Sequence, residues 1–211
     1  MPADRKSQAE DAPPSGWTIA ALQIGFLCLL ILLWWIASIN VARNLVPSPL
    51  ATFHAAQRLI AEGRLQTALL DSLSIYSSGY GIAIAVGIPL GVLMGAFRLL
   101  GKTLEIYVYA LSATPRVAFI PLIIVLLGLG FEAKVFIVFL GAVMPILINT
   151  YAGVRQADPD LVEMARSVGA SRLRIFTRIV LPGALPFVIV GLRLGATIGL
   201  INTVVAELYT A

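Results

Sequence analysis

The chain has 211 residues, of which 59% are hydrophobic and 12% charged, with a mean hydropathy of +0.92. A soluble domain carries about 25% charged residues, so this composition describes an integral membrane protein. A single Cys and a single His exclude a disulfide framework and a Cys-based zinc site and argue against a His-rich metal centre or a Ser-His-Asp triad; no cofactor and no metal is expected.

Residues 1–15 mix charge, Pro and Ser and read as a disordered cytoplasmic tail. A bilayer core needs about 20 apolar residues per helix, and residues 17–39 supply the first such run, with Trp17, Trp34 and Trp35 as interfacial anchors. A signal peptide is the competing reading, but its apolar core is usually about 7 to 15 residues and no small-x-small site precedes Arg43. Residues 44–71 form a mixed-polarity connector in which His54, Arg58, Glu62 and Arg64 suit a short surface helix.

A second span is expected over 73–97. Its Gly87, Gly91 and Gly95 fall on one face and predict close helix packing. A third apolar region, 106–129, is interrupted at Thr114-Pro115-Arg116, where the pre-proline residue leaves helical geometry, so a break near 115 is expected. The fourth span is expected over 135–151 and the fifth over 184–205.

Lys and Arg fix the expected orientation. With the N-terminus inside, Arg5, Lys6, Arg98, Lys102, Arg155, Arg166, Arg172, Arg174 and Arg178 are cytoplasmic, against Arg43, Arg58, Arg64 and Lys134 outside; the inner side holds the excess. The 15 Lys and Arg are dispersed between spans, unlike the footprint of a nucleic-acid-binding protein.

Between the last two apolar stretches lies a polar segment, about 158–182. Leu161, Ala165 and Val168 recur at helical spacing while Glu163 and Arg166 take another face, which predicts a short amphipathic helix. Gly169 is placed to end it in a left-handed conformation, and Ser171 to cap a second helix through Arg178. Leu181-Pro182 then marks the bend into the fifth span. A basic loop lying on anionic head groups is the alternative; Asp158, Asp160 and Glu163 oppose it.

These residues resemble the cytoplasmic pattern of permease subunits of binding-protein-dependent ABC importers: Glu-Ala-Ala, three residues, Gly, nine residues, Ile, one residue, Leu-Pro. Glu163, Ala165, Gly169, Ile179, Leu181 and Pro182 fall in register, and Met164 alone replaces an Ala. The resemblance runs from about Val46 onward through Gly87-Ile88-Pro89-Leu90-Gly91, Pro121-Leu122, Gly128-Leu129-Gly130, Gly153-Val154-Arg155, Gly191-Leu192-Arg193 and Ala206-Glu207, and is closest to the nitrate, sulfonate, taurine and bicarbonate branch.

The resemblance implies an all-α polytopic transmembrane bundle, type I and MetI-like, with about five spans present. It implies a non-catalytic subunit of the cell inner membrane. The partners it implies are a second permease subunit, expected to form a homodimer, two cytoplasmic ATP-binding subunits, an extracytoplasmic solute-binding protein and membrane lipid, with no nucleic acid. The chain itself has no Gly-x-x-x-x-Gly-Lys-Ser/Thr loop for phosphates. Coupling to the ATPase would run through Glu163, Met164, Ala165, Gly169, Ile179, Leu181 and Pro182. The implied cargo is a small anion such as an alkanesulfonate, taurine, nitrate or bicarbonate, with an uncharged or heterocyclic nutrient as the alternative. Permeases of this branch continue through another membrane helix beyond the position of Ala211; a truncated chain or a five-span subunit are the two expectations.

Arg193 falls well inside the fifth span, where a charge costs at least about 2.5 kcal/mol and must face protein or water. It could give the pathway positive potential together with Arg116; either Arg could instead pair with an acid or backbone carbonyls. Cys28 and His54 read as packing and surface residues, and Glu207 as a helix-end charge or an interior packing partner. A secondary transporter would call for internal repeats, which are absent between the halves. A membrane enzyme would need clustered His, Asp or Glu, and the acidic cluster at 158–163 has no nearby His.

Overall fold

The computed structural model describes residues 16–40 and 46–210, all α-helical apart from short turns. The expected tail, 1–15, and Arg43 lie outside them. In chain order the elements are α1 (Gly16–Asn40), α2 (Pro49–Ala61), α3 (Arg64–Ala96), α4 (Arg98–Ala113), a 3-10 turn (Arg116–Phe119), α5 (Ile120–Leu127), α6 (Phe131–Arg155), α7 (Pro159–Ser167), α8 (Arg172–Ile175), a π turn (Phe176–Val180) and α9 (Leu181–Thr210). Among the described residues four helices are long and apolar enough to cross a membrane, and a fifth crossing exists if the bent pair α4 and α5 counts as one.

The chain divides into two compact units, residues 1–67 and 68–211. In the first, α1 exposes every apolar side chain longer than Ala, as a helix solvated by lipid does. Its C-terminal end is tied down locally, with Trp34 Nε1 donating to the Pro47 carbonyl at 3.1 Å and the buried Ser38 hydroxyl donating to the Trp35 carbonyl at 2.7 Å. Ser48 caps α2 by accepting from Ala51 N, and Pro49 takes the first helical position, where its missing N–H costs nothing. The helix ends at Gly63, with φ +70°, and α3 begins at once.

The second unit is organised around α6, which holds Ile137, Val138, Ala142, Val143, Ile146 and Leu147 buried. Glycines on α3 and α9 let both helices reach its backbone. A Cβ at Gly91 of α3 would lie 2.7 Å from the Leu147 carbonyl oxygen, and one at Gly195 of α9 would lie 2.8 Å from Ile146 Cγ1. The Gly87, Gly91 and Gly95 face thus packs against α6 along successive turns, at Ile146, Leu147 and Val154. Tyr76 and Tyr80 of α3 stack, with ring centroids 5.6 Å apart, and donate their hydroxyls to the Ala196 and Leu192 carbonyls of α9 at 3.3 and 2.9 Å.

Two boundaries differ from the sequence reading. The helix that carries the start of the third apolar region begins ahead of 106, at Arg98, and α4 meets the limb at Arg116–Leu127 at 82°. Arg98, Lys102 and Glu105 therefore lie within a helix whose other face buries Gly101 and Val108. The second helix of the polar segment does not stop at Arg178 and bend at Leu181-Pro182: it runs unbroken from Arg172 to Thr210. The π turn is the physical reason, because Leu181 N donates to Phe176 O five residues back, and this wider register accommodates Pro182, which has no N–H to give and whose ring would crowd the carbonyl of a regular preceding turn.

Candidate functional site

Two sets of residues carry the candidate chemistry, one on the segment between α6 and α9 and one on the apolar helices. The segment is built by its caps. Asp158 Oδ1 accepts from Asp160 N at 2.9 Å and Pro159 opens α7. At the other end, Gly169 N donates to Arg166 O at 2.9 Å and Ala170 N donates to Ala165 O at 3.0 Å, the paired closure that requires a left-handed residue between the last helical turn and the exit. Gly169 supplies it, with φ +77°. Ser171 then caps α8 by accepting from Arg174 N at 3.3 Å.

Along α7, Leu161, Met164 and Val168 form one apolar stripe that is open in the chain, Val168 being 80% and Met164 60% exposed. Glu163 and Arg166 are exposed beside it, as are Arg172, Arg174 and Arg178 beyond the turn. Among the described residues the ion pair found is Arg64 with Glu62, so these five charges of the segment have no ionic partner among them. The expected coupling residues separate into two groups. Glu163, Met164, Ala165 and Gly169 belong to α7 and its closing turn, whereas Ile179 sits in the π turn and Leu181 and Pro182 open α9.

The two candidate pathway arginines are placed differently. Arg193 of α9 is exposed; its carbonyl accepts from Thr197 Oγ1 at 3.1 Å, and its side chain makes no hydrogen bond among the described residues. Gly191 and Gly195, two residues to either side, face α6 instead. Arg116, at the α4–α5 break, is half-buried; its Nη1 donates to the Gly141 carbonyl at 3.2 Å and its Nη2 to the Ser112 carbonyl at 3.4 Å. Its Nε is buried without a hydrogen-bond partner among the described residues. A cavity of about 10 Å³ adjoins it, lined by Ile120, Ile137, Leu140 and Asn202 among others, which is space for about one water and far too little for a sulfonate.

Polar contacts that the sequence reading did not foresee join the helices elsewhere. Ser72 Oγ of α3 donates to Glu207 Oε1 of α9 at 2.6 Å, which makes Glu207 an interior partner. Tyr151 of α6 donates to Glu105 of α4 at 3.2 Å, and Arg155 lies 6.0 Å over the Tyr151 ring. No group of three or more His, Cys, Asp or Glu suited to a metal occurs among the described residues.

A family model described as the binding-protein-dependent transport system inner membrane component matches residues 87–211. A probable ABC transporter permease protein of Brucella melitensis is 35% identical over 79% of this chain and 68% of its own length. The taurine transport system permease protein TauC of Escherichia coli is 30% identical over 90% of this chain and 72% of its own. The bicarbonate transport system permease protein CmpB of Synechocystis is 30% identical over 97% and 73%.

Proposed function

The chain belongs to the family of binding-protein-dependent transport inner membrane components, and from that premise we propose that it moves a small anion when a separate ATPase pushes on the 158–182 segment. It is a membrane permease subunit; the cargo, the coupling residues and the partner arrangement are the proposal. In it, α7 seats its Leu161, Met164 and Val168 stripe in a groove of the ATPase. Glu163 and the arginines of the segment meet complementary charge on the rim. The N-terminus and this segment face the cytoplasm, and a second copy of the chain completes the pathway.

The observation that carries the reading is continuity. The helix from Arg172 to Thr210 has no break, so displacement of the Gly169 turn is delivered along about 32 Å of helix to Arg193. A lever needs that stiffness, and a hinge at Pro182 would absorb the push. Arg193 serves as the pathway cation in this reading, since it is exposed and lacks any side-chain hydrogen bond among the described residues. The anion class rests on that charge and on relatives named for taurine and bicarbonate transport.

Glu163→Arg tests the docking. The variant should accumulate in membranes normally and lose copurification with the ATPase subunit by about tenfold or more, the scale of a truncated interfacial charge pair. Undiminished copurification and uptake would refute the assignment.

A further inference from the structure

We propose that Arg116 is a positioning residue that pins the α4–α5 hinge to a proline-made gap in α6, and so sets where the bent pair stands against the bundle. Each backbone carbonyl in an α-helix normally accepts from the N–H four residues on. Pro145 lies inside α6 and has no N–H, so the carbonyl of Gly141 is left without its helical donor. In an apolar bundle such a group costs several kcal/mol unless something else reaches it. Arg116 Nη1 reaches it, at 3.2 Å.

The same guanidinium settles a second free carbonyl. Helix α4 ends at Ala113, and its last four carbonyls lack intrahelical donors. Thr114 Oγ1 donates to Ala110 O at 2.9 Å, Thr114 N donates to Leu111 O at 3.3 Å, and Arg116 Nη2 donates to Ser112 O at 3.4 Å. One planar side chain thus closes the C-terminal end of α4 and fills the gap in α6, and its charge suits the negative end of the α4 dipole. Asn202 of α9 donates to Ile137 O one turn away at 3.3 Å, and a Cβ at Gly141 would collide with its amide. The clamp therefore lies where α4, α6 and α9 converge.

Three consequences follow. Arg116 holds structure and not cargo. A lysine cannot satisfy both carbonyls with the same fork. And the need for Arg116 depends on Pro145, because restoring an N–H at position 145 returns the Gly141 carbonyl to its own helix.

The test is a double-mutant cycle on the full chain purified in lipid nanodiscs. Arg116→Met should lower the melting midpoint by roughly 5 °C. In a Pro145→Ala background the same substitution should cost less than half as much, the residue being the Ser112 carbonyl. Equal losses in both backgrounds would overturn the proposal. If Arg116→Met fails to accumulate, recovery of membrane accumulation by added Pro145→Ala takes the place of the melt, and no recovery overturns it. A second arm rests on the permease reading and uses the complete transporter in vesicles, with taurine and then bicarbonate as probe. Arg116→Lys should lower the maximal uptake rate by roughly fivefold with an unchanged half-saturating concentration; a rise in that concentration with an unchanged maximal rate would make Arg116 a cargo contact and overturn the proposal. Absence of uptake by the wild-type complex would count against the functional reading, while the melting cycle would still decide the clamp.

Discussion

Gly169→Ala and Gly169→Pro separate backbone geometry from side-chain chemistry in the segment between α6 and α9. A Cβ at Gly169 would meet nothing within 4 Å, so alanine introduces no clash and its whole effect is conformational. Holding an L-residue at φ +77° costs about 1–2 kcal/mol, which lowers the population of the closed turn by a factor of roughly 5–30. Proline is more severe: its φ is locked near −65°, about 140° away, and it removes the N–H that donates to Arg166 O. The turn then has to open, and α7 and α8 point in a new direction. The assay is copurification of the ATPase with the permease, together with ATPase activity stimulated by the loaded binding protein. Alanine should weaken both by severalfold, proline should abolish both, and membrane accumulation should be unaffected because no buried contact is touched. Wild-type behaviour of the proline variant would refute the claim that this turn sets the docking geometry.

Arg193→Ala, measured by uptake of taurine or bicarbonate into vesicles at varied salt, should reduce transport by roughly tenfold or more and weaken its dependence on ionic strength; unchanged uptake would remove Arg193 from the pathway. Gly91→Val should destabilise the purified chain by about 1–3 kcal/mol in thermal melts through overpacking, since a Cβ there would lie 2.8 Å from Thr150 Cβ. Gly81→Ala, where a Cβ meets nothing within 4 Å, is the control and should be neutral or slightly stabilising.

The parts of this molecule that periodicity and backbone rules govern could be read before any coordinates. Glycines four residues apart on α3 announced a close approach, and the structure has them against α6. Gly169 was legible because the end of an amphipathic pattern followed by glycine has one common backbone solution. Contacts between distant residues were not. Ser72 with Glu207 and Tyr151 with Glu105 pair residues 135 and 46 positions apart, and no local pattern encodes which polar side chain on one apolar helix will meet which on another. Arg116 was visible as an unusual charge, but its use was hidden, since the carbonyl it serves is freed by a proline on a different helix.

The two prolines at breaks in apolar sequence show where local rules end. Thr114-Pro115 and Leu181-Pro182 send the same signal: a pre-proline residue disfavoured in helical geometry and a missing donor. At the first, Thr114 is extended, with ψ 133°, and the chain turns through 82°. At the second, Leu181 stays helical at φ −65° and ψ −46°, and the helix passes through. What differs is the means available for satisfying the carbonyls. Before Pro115 they are taken by Thr114 and by an arginine that also reaches α6. Before Pro182 the turn is widened, with Leu181 N donating to Phe176 O five residues back, which gives the proline ring room without a bend. One proline thereby sits at a bend and the other within a continuous helix. Straightening the chain at Pro115 would carry Arg116 away from α6 and leave the Gly141 carbonyl, already deprived of its helical donor by Pro145, without its arginine.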